Sequence, residues 1–225
     1  MNDIDNSEYF KTRLKYDHKR TILWNALCTN VFDSYVPEKG TALELGAGWC
    51  DFINNINADR KIAVDIWPGI DAHKNDEVQT FVADVTRIPF VADKSIDLIF
   101  ASNLVEHLTR EQTVEMLSEC ARVIQKNGHL ILVQPNFRLS YKRYFDDYTH
   151  VAIWTDIGLV AFLESLGWKV TRVEGRFLPL TVKSRLPVSR FLIKAYLKSP
   201  FKPLAGQMLV VAQYQESDKS QSGLT

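Results

Sequence analysis

Residues 41–53 read TALELGAGWCDFI, and this stretch decides the fold. Its first part, 41–45, is a short apolar run that predicts a buried strand. The small residues Gly46-Ala47-Gly48 then predict a tight turn that lets a ligand approach the main chain closely. A helix is expected over 51–56. A strand that runs through such a turn into a helix is typical of nucleotide-binding α/β folds.

The rest of the chain continues this alternation of strands and helices. Their near-continuous Val, Ile, Leu, Phe and Ala content is typical of a parallel sheet that is covered on both faces. Further buried strands are predicted at 61–66, 80–85, 96–102 and 130–134, and two more at 168–177 and 207–213. Helices are predicted at 14–35, at 111–125 with Asn127-Gly128 as its stop, and at 155–167 with Thr155 as N-cap. We expect a mostly parallel seven-stranded sheet whose last strand is antiparallel.

Length and composition place limits on the class of protein. The chain has 225 residues, of which 46% are apolar, so one domain with a sizeable core is expected. Lys plus Arg equals Asp plus Glu at 27 each, and this balance argues against a nucleic-acid partner. The three cysteines are odd in number and lack CxxC spacing, which argues against disulfides and zinc. With no apolar run of the ~18–20 residues that a membrane span needs, a soluble cytoplasmic protein is expected.

Three segments are expected along the chain. Residues 1–36 are predicted to form an arm and a helical cap, and 37–215 the main domain with a basic helical insertion at about 181–202. Residues 216–225 are polar and are expected to be a disordered tail. Four aromatic residues of the cap are expected to close over a bound cofactor: Tyr9, Phe10, Tyr16 and Trp24.

Carboxylates follow three successive predicted strands, at Glu44, Asp65 and Asp84. In open α/β sheets ligands bind beyond the carboxyl ends of the strands, so these side chains are expected near one ligand. Asp65 can accept both ribose hydroxyls, and Asp84 can accept from an adenine amino group. Asp51 stands where a dinucleotide fingerprint has a small residue, and a carboxylate there would repel a pyrophosphate. A ligand with adenosine and an amino group but no phosphate, such as S-adenosylmethionine (SAM), suits this set.

The same segments carry a family resemblance. ELGAGWCDF (44–52), AVDI (63–66), ADV (83–85) and SIDLIFASNLVEHL (95–108) resemble, in order and spacing, the motifs of the class I SAM-dependent methyltransferases. The resemblance covers 41–135, and it implies a Rossmann-like three-layer α/β/α fold. One departure is Cys50, which replaces the usual third glycine of the first motif.

The resemblance also implies roles for residues and a cofactor. SAM would be consumed and S-adenosylhomocysteine released. Glu44 would orient the glycine turn, and Gly46 and Gly48 would line the methionine moiety. Asp65 would hold the ribose, and Asp84 would flank the adenine. The other residues predicted to contact the cofactor are Ala47, Ile66, Val85 and Asn103.

The second half of the chain resembles a subgroup found among bacterial surface-polysaccharide genes. The segments concerned are 135–170, 176–187 and 205–213. This resemblance suggests that the methyl acceptor is a small molecule, with a hydroxyl oxygen of a sugar or glycan intermediate as the acceptor atom. Nitrogen and carbon acceptors stay open.

The segment YFDDYTH (144–150) supplies the candidate catalytic residues. Transfer of a methyl group to a hydroxyl needs a base, and a histidine with a pKa near ~6.5 is suited to that task. We predict His150 as the base, oriented by Asp146 or Asp147, with His107 after the fourth strand as a further candidate. The alternative is that 144–150 only caps the next helix. Asp146, Asp147 and His150 could in principle share a metal ion, but no second ligand cluster supports this, and no metal is predicted.

The insertion at 181–202 is basic and amphipathic. One interpretation is a surface helix packed on the sheet; the other is contact with anionic lipid or with a lipid-linked glycan. It has no acidic residue, and its basic residues are Lys183, Arg185, Arg190, Lys194, Lys198 and Lys202.

Two other functions remain open for the chain as a whole. An NAD(P)-dependent oxidoreductase would share the strand, glycine turn and helix, but it would not predict Asp51 or Asp84. A catalytically silent SAM-binding partner subunit would keep Gly46, Gly48 and Asp65 and tolerate loss of the residues on the acceptor side.

Overall fold

A computed structural model describes residues 19–179 and 189–215 of the chain. The predicted arm, with Tyr9, Phe10 and Tyr16, lies outside the described residues. So do the first part of the basic insertion, with Lys183 and Arg185, and the predicted tail at 216–225. No helix within the described ranges is long and apolar enough to cross a lipid bilayer.

Seven strands form one sheet in the order β3-β2-β1-β4-β5-β7-β6. The strands are β1 (Thr41–Leu45), β2 (Arg60–Asp65), β3 (Val78–Val82), β4 (Ile96–Ser102), β5 (Ile124–Pro135), β6 (Trp168–Pro179) and β7 (Ala205–Tyr214). The first five are mutually parallel, and β7 lies between β5 and β6, antiparallel to both. The predicted Rossmann-like α/β fold, with a mostly parallel sheet and an antiparallel last strand, is confirmed.

Helices cover both faces of the sheet, which is why the central strands are apolar throughout. The helices are α1 (Lys19–Leu27), α2 (Arg110–Val123), α3 (Phe137–Ser140), α4 (Asp156–Ser165) and α5 (Arg190–Lys198). One core cluster includes Leu43, Ile99 and Met116 of α2, and the other includes Leu27 of α1 and Phe100. Successive side chains along a strand point to opposite faces of the sheet, so the strands contribute to two cores, one on each face.

Helix α1 continues as a π-helical turn, Cys28–Phe32, and a 3₁₀ turn, Asp33–Tyr35, so the helix predicted as far as residue 35 is confirmed over the described residues. Trp24 packs edge-on against Phe52 and Phe100. This places the Trp24 ring against core side chains of β4 and of the segment that follows the glycine turn.

Helix α2 shows why one predicted boundary is wrong. Its N-terminus has a reciprocal capping box between Thr109 and Gln112, which satisfies two backbone donors. The helix ends at Val123 and β5 begins in the next residue, so Asn127-Gly128 is not the helix stop. Instead, these two residues lie in an irregular part of β5, where the pairing with β4 shifts register.

Other predicted boundaries differ from the structure too. Strand β5 begins six residues before the predicted 130–134 and spans 124–135. Strand β3 occupies 78–82 rather than 80–85, which leaves Asp84 two residues beyond its end. Residues 51–56, predicted as a helix, form consecutive turns. Helix α4 is shorter than the predicted 155–167, but the predicted N-cap is correct, since the Thr155 side chain accepts a hydrogen bond from the Gly158 N–H (3.0 Å). Propensity patterns locate such elements but not their last turn.

Candidate functional site

The glycine turn at the end of β1 is built on positive backbone φ angles. Gly46 has φ of +67° and Gly48 of +49°, a region where glycine is favoured. The N–H groups of Gly46 and Ala47 both donate to the Val64 carbonyl of β2, at 2.9 and 3.2 Å. A Cβ at residue 46 would lie 2.9 Å from Leu104 Cδ1. Glycine is required at residue 46 for two reasons, its backbone angle and the close approach of the segment after β4.

Cys50 takes up the same left-handed conformation, with φ of +56°. Its side chain is fully buried, and its Sγ lies 3.8 Å from the Ile70 carbonyl oxygen. Burial raises the pKa of its thiol, so it stays protonated and packs as a small apolar side chain. Residue 50 therefore has the backbone conformation that glycine favours, although it is a cysteine here and not the third glycine of the usual motif.

Glu44 connects β1 to the chain that follows the turn. Its side chain is buried, and Oε2 accepts a hydrogen bond from the Ile53 N–H (2.9 Å). Burial raises the pKa of Glu44 well above its usual range, and the nearby carboxylates of Asp51 and Asp65 raise it further. Glu44 thus holds the turn in place from beneath.

Asp65, at the end of β2, holds the turn from the neighbouring strand. Its Oδ2 accepts from the Gly48 N–H (2.7 Å) and its Oδ1 from the Trp67 N–H (2.8 Å). Burial raises its pKa, and these backbone hydrogen bonds act in the opposite direction. Each carboxylate oxygen can accept more than one hydrogen bond, so Asp65 can receive ribose hydroxyls while it keeps these contacts.

Asp51 has a structural partner. Its buried carboxylate forms an ion pair with the Arg20 guanidinium of α1 (2.6 Å). The sequence predicts that the Asp51 carboxylate faces the ligand. In the structure this carboxylate binds α1 to the glycine turn.

The remaining predicted cofactor residues lie beyond β2, β3 and β4, on the same edge. Asp84 is exposed, and its Oδ1 accepts from the Thr86 N–H and hydroxyl (2.9 and 2.8 Å). Ile66 is 55% exposed, whereas Val85 is buried. Asn103 has φ of +50°, and its Oδ1 accepts from a side-chain amide of β7 (2.7 Å). Exposed apolar and carboxylate groups at adjacent strand ends are suited to an adenosine.

This donor set fits SAM. The described side chains at the strand ends are carboxylates and an amide, which pair with ribose hydroxyls and an ammonium group and disfavour a phosphate. SAM supplies an electrophilic methyl group on a positively charged sulfur.

Beyond β4, a 3₁₀ turn, Val105–His107, contacts the loop that follows α3. The Glu106 carbonyl accepts from the Val151 and Ala152 N–H groups (2.9 and 3.1 Å). The Trp154 indole N–H donates to the Val105 carbonyl (3.0 Å). These bonds connect residues more than 40 positions apart, and so bring the YFDDYTH segment to the end of β4.

His107, Asp147 and His150 are brought together by these contacts. The Thr149 hydroxyl donates to Asp147 Oδ1 (2.6 Å) and lies 2.9 Å from His107 Nδ1. The rings of His107 and His150 are 4.8 Å apart at their centroids. Burial lowers the pKa of His107 to about 4, so its imidazole is neutral at pH 7.

The fourth predicted catalytic residue, Asp146, is placed differently. Its side chain is two-thirds exposed and forms a 3.5 Å ion pair with Arg143 in the 3₁₀ turn Tyr144–Asp146. Of the two aspartates in 144–150, it is Asp147 that lies next to the two histidines.

Glu106 belongs to this cluster and was not predicted as a site residue. It is 1% exposed, and among the described residues neither carboxylate oxygen has a hydrogen-bond partner. Burial raises its pKa to about 8. The Glu-His pair after the fourth strand was visible in the sequence, but Glu106 there fits a helix start equally well.

Part of the chain is similar to a known protein family. Residues 43–132, which are 90 of the 225 residues, match the family model described as a methyltransferase domain. The match runs from β1 to β5 and so includes the glycine turn, Asp65, Asp84 and the Glu106-His107 pair. This match supports a methyltransferase activity, and the carboxylates at the strand ends described above fit SAM as the methyl donor.

Solved structures share the fold at low sequence identity. A SAM-dependent methyltransferase from Archaeoglobus fulgidus is 21% identical, with a TM-score of 0.65, over 93% of this chain and 99% of its own. One from Thermotoga maritima is 14% identical, with a TM-score of 0.66, over 93% and 95%. A chain from a Haloferax volcanii complex of a methyltransferase with the Trm112 activator is 14% identical, with a TM-score of 0.62, over 90% and 100%. No curated protein matches the chain.

Proposed function

We propose that this methyltransferase transfers the SAM methyl group to a hydroxyl oxygen of a small acceptor, a sugar or glycan intermediate. The observation that carries this proposal is the cluster of Glu106, His107 and His150 at the carboxyl end of β4, beside the glycine turn. A hydroxyl must lose its proton as it attacks the methyl carbon. A neutral imidazole is the group of this cluster that can accept that proton at pH 7, because the Glu106 carboxyl, with its pKa raised to about 8, is protonated there.

The acceptor site is proposed at the groove that borders the cluster. This groove has a volume of about 320 Å³ and is lined by Thr109 to Glu111 and by Val151 to Ile153. Its size is at the low end of small-molecule sites. Both lining segments directly follow the cluster along the chain, at His107 and at His150.

The remaining predicted roles are part of the same proposal. Glu44 and Asp65 fix the glycine turn, Gly46, Ala47 and Gly48 contact the methionine part of SAM, and the adenosine lies across Ile66, Asp84 and Val85. Asn103 borders the methyl position. Catalysis then consists largely of placing acceptor oxygen and methyl carbon within ~3–3.5 Å of each other.

A turnover assay tests the proposal. Purified protein, SAM and a panel of sugars, nucleotide sugars and glycans are assayed for S-adenosylhomocysteine formation and for the methylated product. His150→Ala is expected to lower turnover by ~10² or more while SAM affinity in calorimetry stays unchanged. His129→Ala is the matched control, because His129 lies on β5 near Tyr35, away from the cluster.

Three results would overturn parts or all of the proposed function. Unchanged turnover of His150→Ala removes the assignment of the cluster. SAM binding without product from any acceptor favours the silent partner subunit, and binding of NADH in place of SAM favours the oxidoreductase. No observation in the structure or the comparisons supports either alternative.

A second proposal concerns the basic insertion, which we propose touches an anionic membrane surface. Helix α5 has no buried residue, and Arg190, Lys194 and Lys198 are exposed along it. Four large apolar side chains in and after α5 are between 48% and 88% exposed: Phe191, Leu192, Phe201 and Leu204. Cationic and apolar groups side by side are typical of interfacial helices.

Vesicle pelleting tests this second proposal. Salt-sensitive binding to vesicles with anionic lipid, and loss of that binding in Phe191→Ser with Phe201→Ser, are expected. The same protein should not bind neutral vesicles. Absence of binding to anionic vesicles at low salt would leave the interpretation as a packed surface helix.

A further inference from the structure

Three metal-ligating side chains converge at the end of β4. One ligand atom from each of Glu106, His107 and His150 lies within 4.8 Å of the other two. Two come from a single 3₁₀ turn, and the third comes from a loop fixed to that turn through the Glu106 carbonyl. This arrangement therefore does not depend on a surface side chain that happens to swing nearby.

We infer that Glu106, His107 and His150 bind a divalent transition-metal ion that activates the acceptor hydroxyl. The role of the ion in activating the hydroxyl rests on the proposed function, whereas the binding of the ion does not. No metal is predicted from the sequence, and the possible ligands named there, Asp146, Asp147 and His150, differ from the three that the structure brings together.

The state of Glu106 points independently to a ligand. A carboxyl group that is 1% exposed and has no hydrogen-bond partner among the described residues is costly to bury, whether or not it is charged. Coordination to a divalent cation would deprotonate Glu106 and satisfy its oxygens directly, because carboxylates bind metals in the deprotonated form.

The surroundings of His107 are those of a metal ligand. The Thr149 hydroxyl, itself fixed by Asp147, lies at hydrogen-bond distance from His107 Nδ1. Ligating histidines usually have such a partner on the ring nitrogen that does not face the metal. We therefore assign Nε2 of His107 to the ion and Asp147 to positioning this ring through Thr149.

The geometry requires a small inward movement. At metal–ligand distances of ~2.1 Å, neighbouring ligand atoms lie about 3–3.5 Å apart. The observed span of up to 4.8 Å exceeds this, so binding draws the side chains inward by roughly 1 Å.

The ligand set indicates the class of ion. Two imidazole nitrogens and one carboxylate oxygen favour Zn²⁺, Fe²⁺, Co²⁺ or Mn²⁺ over Mg²⁺ and Ca²⁺, which prefer oxygen ligands. Three protein ligands leave coordination positions open, as in catalytic rather than structural sites. The acceptor oxygen would occupy an open position.

The transfer step balances without an added oxidant or reductant. The ion lowers the pKa of the coordinated hydroxyl, and its proton passes to solvent water. The oxygen then forms a bond to the methyl carbon while the carbon–sulfur bond breaks, and the electron pair stays on sulfur. The products are a methyl ether and S-adenosylhomocysteine. In this scheme His150 is a ligand, in place of the predicted proton acceptor.

Metal binding can be measured without any acceptor. Chelator-treated protein is titrated with Co²⁺ and followed by visible absorption, and with Zn²⁺ in calorimetry. One ion per chain is expected, with binding at least 10²-fold weaker in Glu106→Gln and His150→Ala. His129→Ala should bind as tightly as the unaltered protein. Circular dichroism of each variant shows whether it is folded, and Glu106→Gln retains the shape of the buried side chain.

Turnover assays then test the role of the ion. With a productive acceptor, chelation should abolish methyl transfer, and one equivalent of metal should restore it. The inference is overturned if the unaltered protein binds no ion stoichiometrically, or if the two variants bind it equally well. Full turnover after chelation overturns the catalytic role, but it leaves the proposed O-methylation intact. If Co²⁺ binds but no acceptor is turned over, the proposed function is contradicted, whereas the proposed metal site is supported.

Discussion

The strained cysteine of the glycine turn allows a stability prediction with an internal control. Cys50 and Cys28 are both fully buried, and each Sγ lies 3.8 Å from a backbone carbonyl oxygen. They differ in backbone conformation, since Cys50 has φ of +56° and Cys28 lies in the π-helical turn after α1. We compare alanine with glycine at each residue.

The expected magnitudes follow from that difference. Both substitutions remove the same buried sulfur at either residue. The difference in unfolding free energy between the glycine and the alanine variant therefore reports only the backbone conformation and the loss of the Cβ. Loss of a buried carbon costs about 0.8 kcal/mol, and glycine in a helix costs about 1 kcal/mol more. Cys28→Gly should therefore be less stable than Cys28→Ala by roughly 1.5–2 kcal/mol.

At residue 50 the left-handed backbone conformation offsets the destabilisation that glycine causes relative to alanine. A side chain there is disfavoured by about 1–2 kcal/mol, and glycine relieves that strain. The gain offsets the lost carbon and the greater freedom of the unfolded chain, which is about 0.4–1 kcal/mol. Cys50→Gly and Cys50→Ala should have equal stability within about 0.5 kcal/mol.

Urea unfolding of the four variants, followed by fluorescence and circular dichroism, measures these differences. Equal slopes against urea concentration are required for the comparison. If Cys50→Gly is less stable than Cys50→Ala by as much as the Cys28 pair differs, the argument from backbone strain is wrong.

Three further outcomes are expected. Asp65→Asn should weaken SAM binding at least tenfold in calorimetry, because an amide cannot keep both backbone contacts of Asp65 and also accept two ribose hydroxyls; unchanged affinity would remove the ribose assignment. Burial raises the pKa of Glu44 above its unfolded value, so the folded state binds the extra proton and the free energy of unfolding should fall as pH rises above the unfolded pKa. Glu44→Gln should flatten that slope in pH-dependent urea unfolding, whereas an unaltered slope would contradict the assignment. Arg20→Ala should lower stability by about 2–4 kcal/mol, since it leaves Asp51 buried without its partner; Asp51→Asn should restore part of the loss in thermal unfolding.

The central fold was predictable because its signals are local. The runs 41–45 and 96–102 coincide with β1 and β4, since both are apolar and end in turn residues. Boundaries failed where tertiary pairing overrides local pattern. Strand β3 begins two residues early because Val78 pairs with Lys61 of β2, a contact that no window around β3 contains.

The site was predictable in part for the same reason. The glycine turn and Asp65 are recognisable as residue types at strand ends. The partner of Asp51 and the burial of Glu106 are not, since they depend on α1 and on a loop some 45 residues away. Sequence reasoning could name His107 and His150 separately, but their proximity is a consequence of the packing.

The position of β7 in the sheet has a consequence for the kinetics of folding. β7 separates β5 from β6, and its pairing joins Leu130 to Ala212 across about 80 residues of chain. Until that late segment docks, β5 is an open apolar edge, and β6 has no strand to join. Such long-range closure is slow and leaves an edge that other chains can extend. We expect the rate of assembly, and the tendency of the protein to aggregate while it folds, to be governed by the residues of β7 more than by those of the cofactor-binding half.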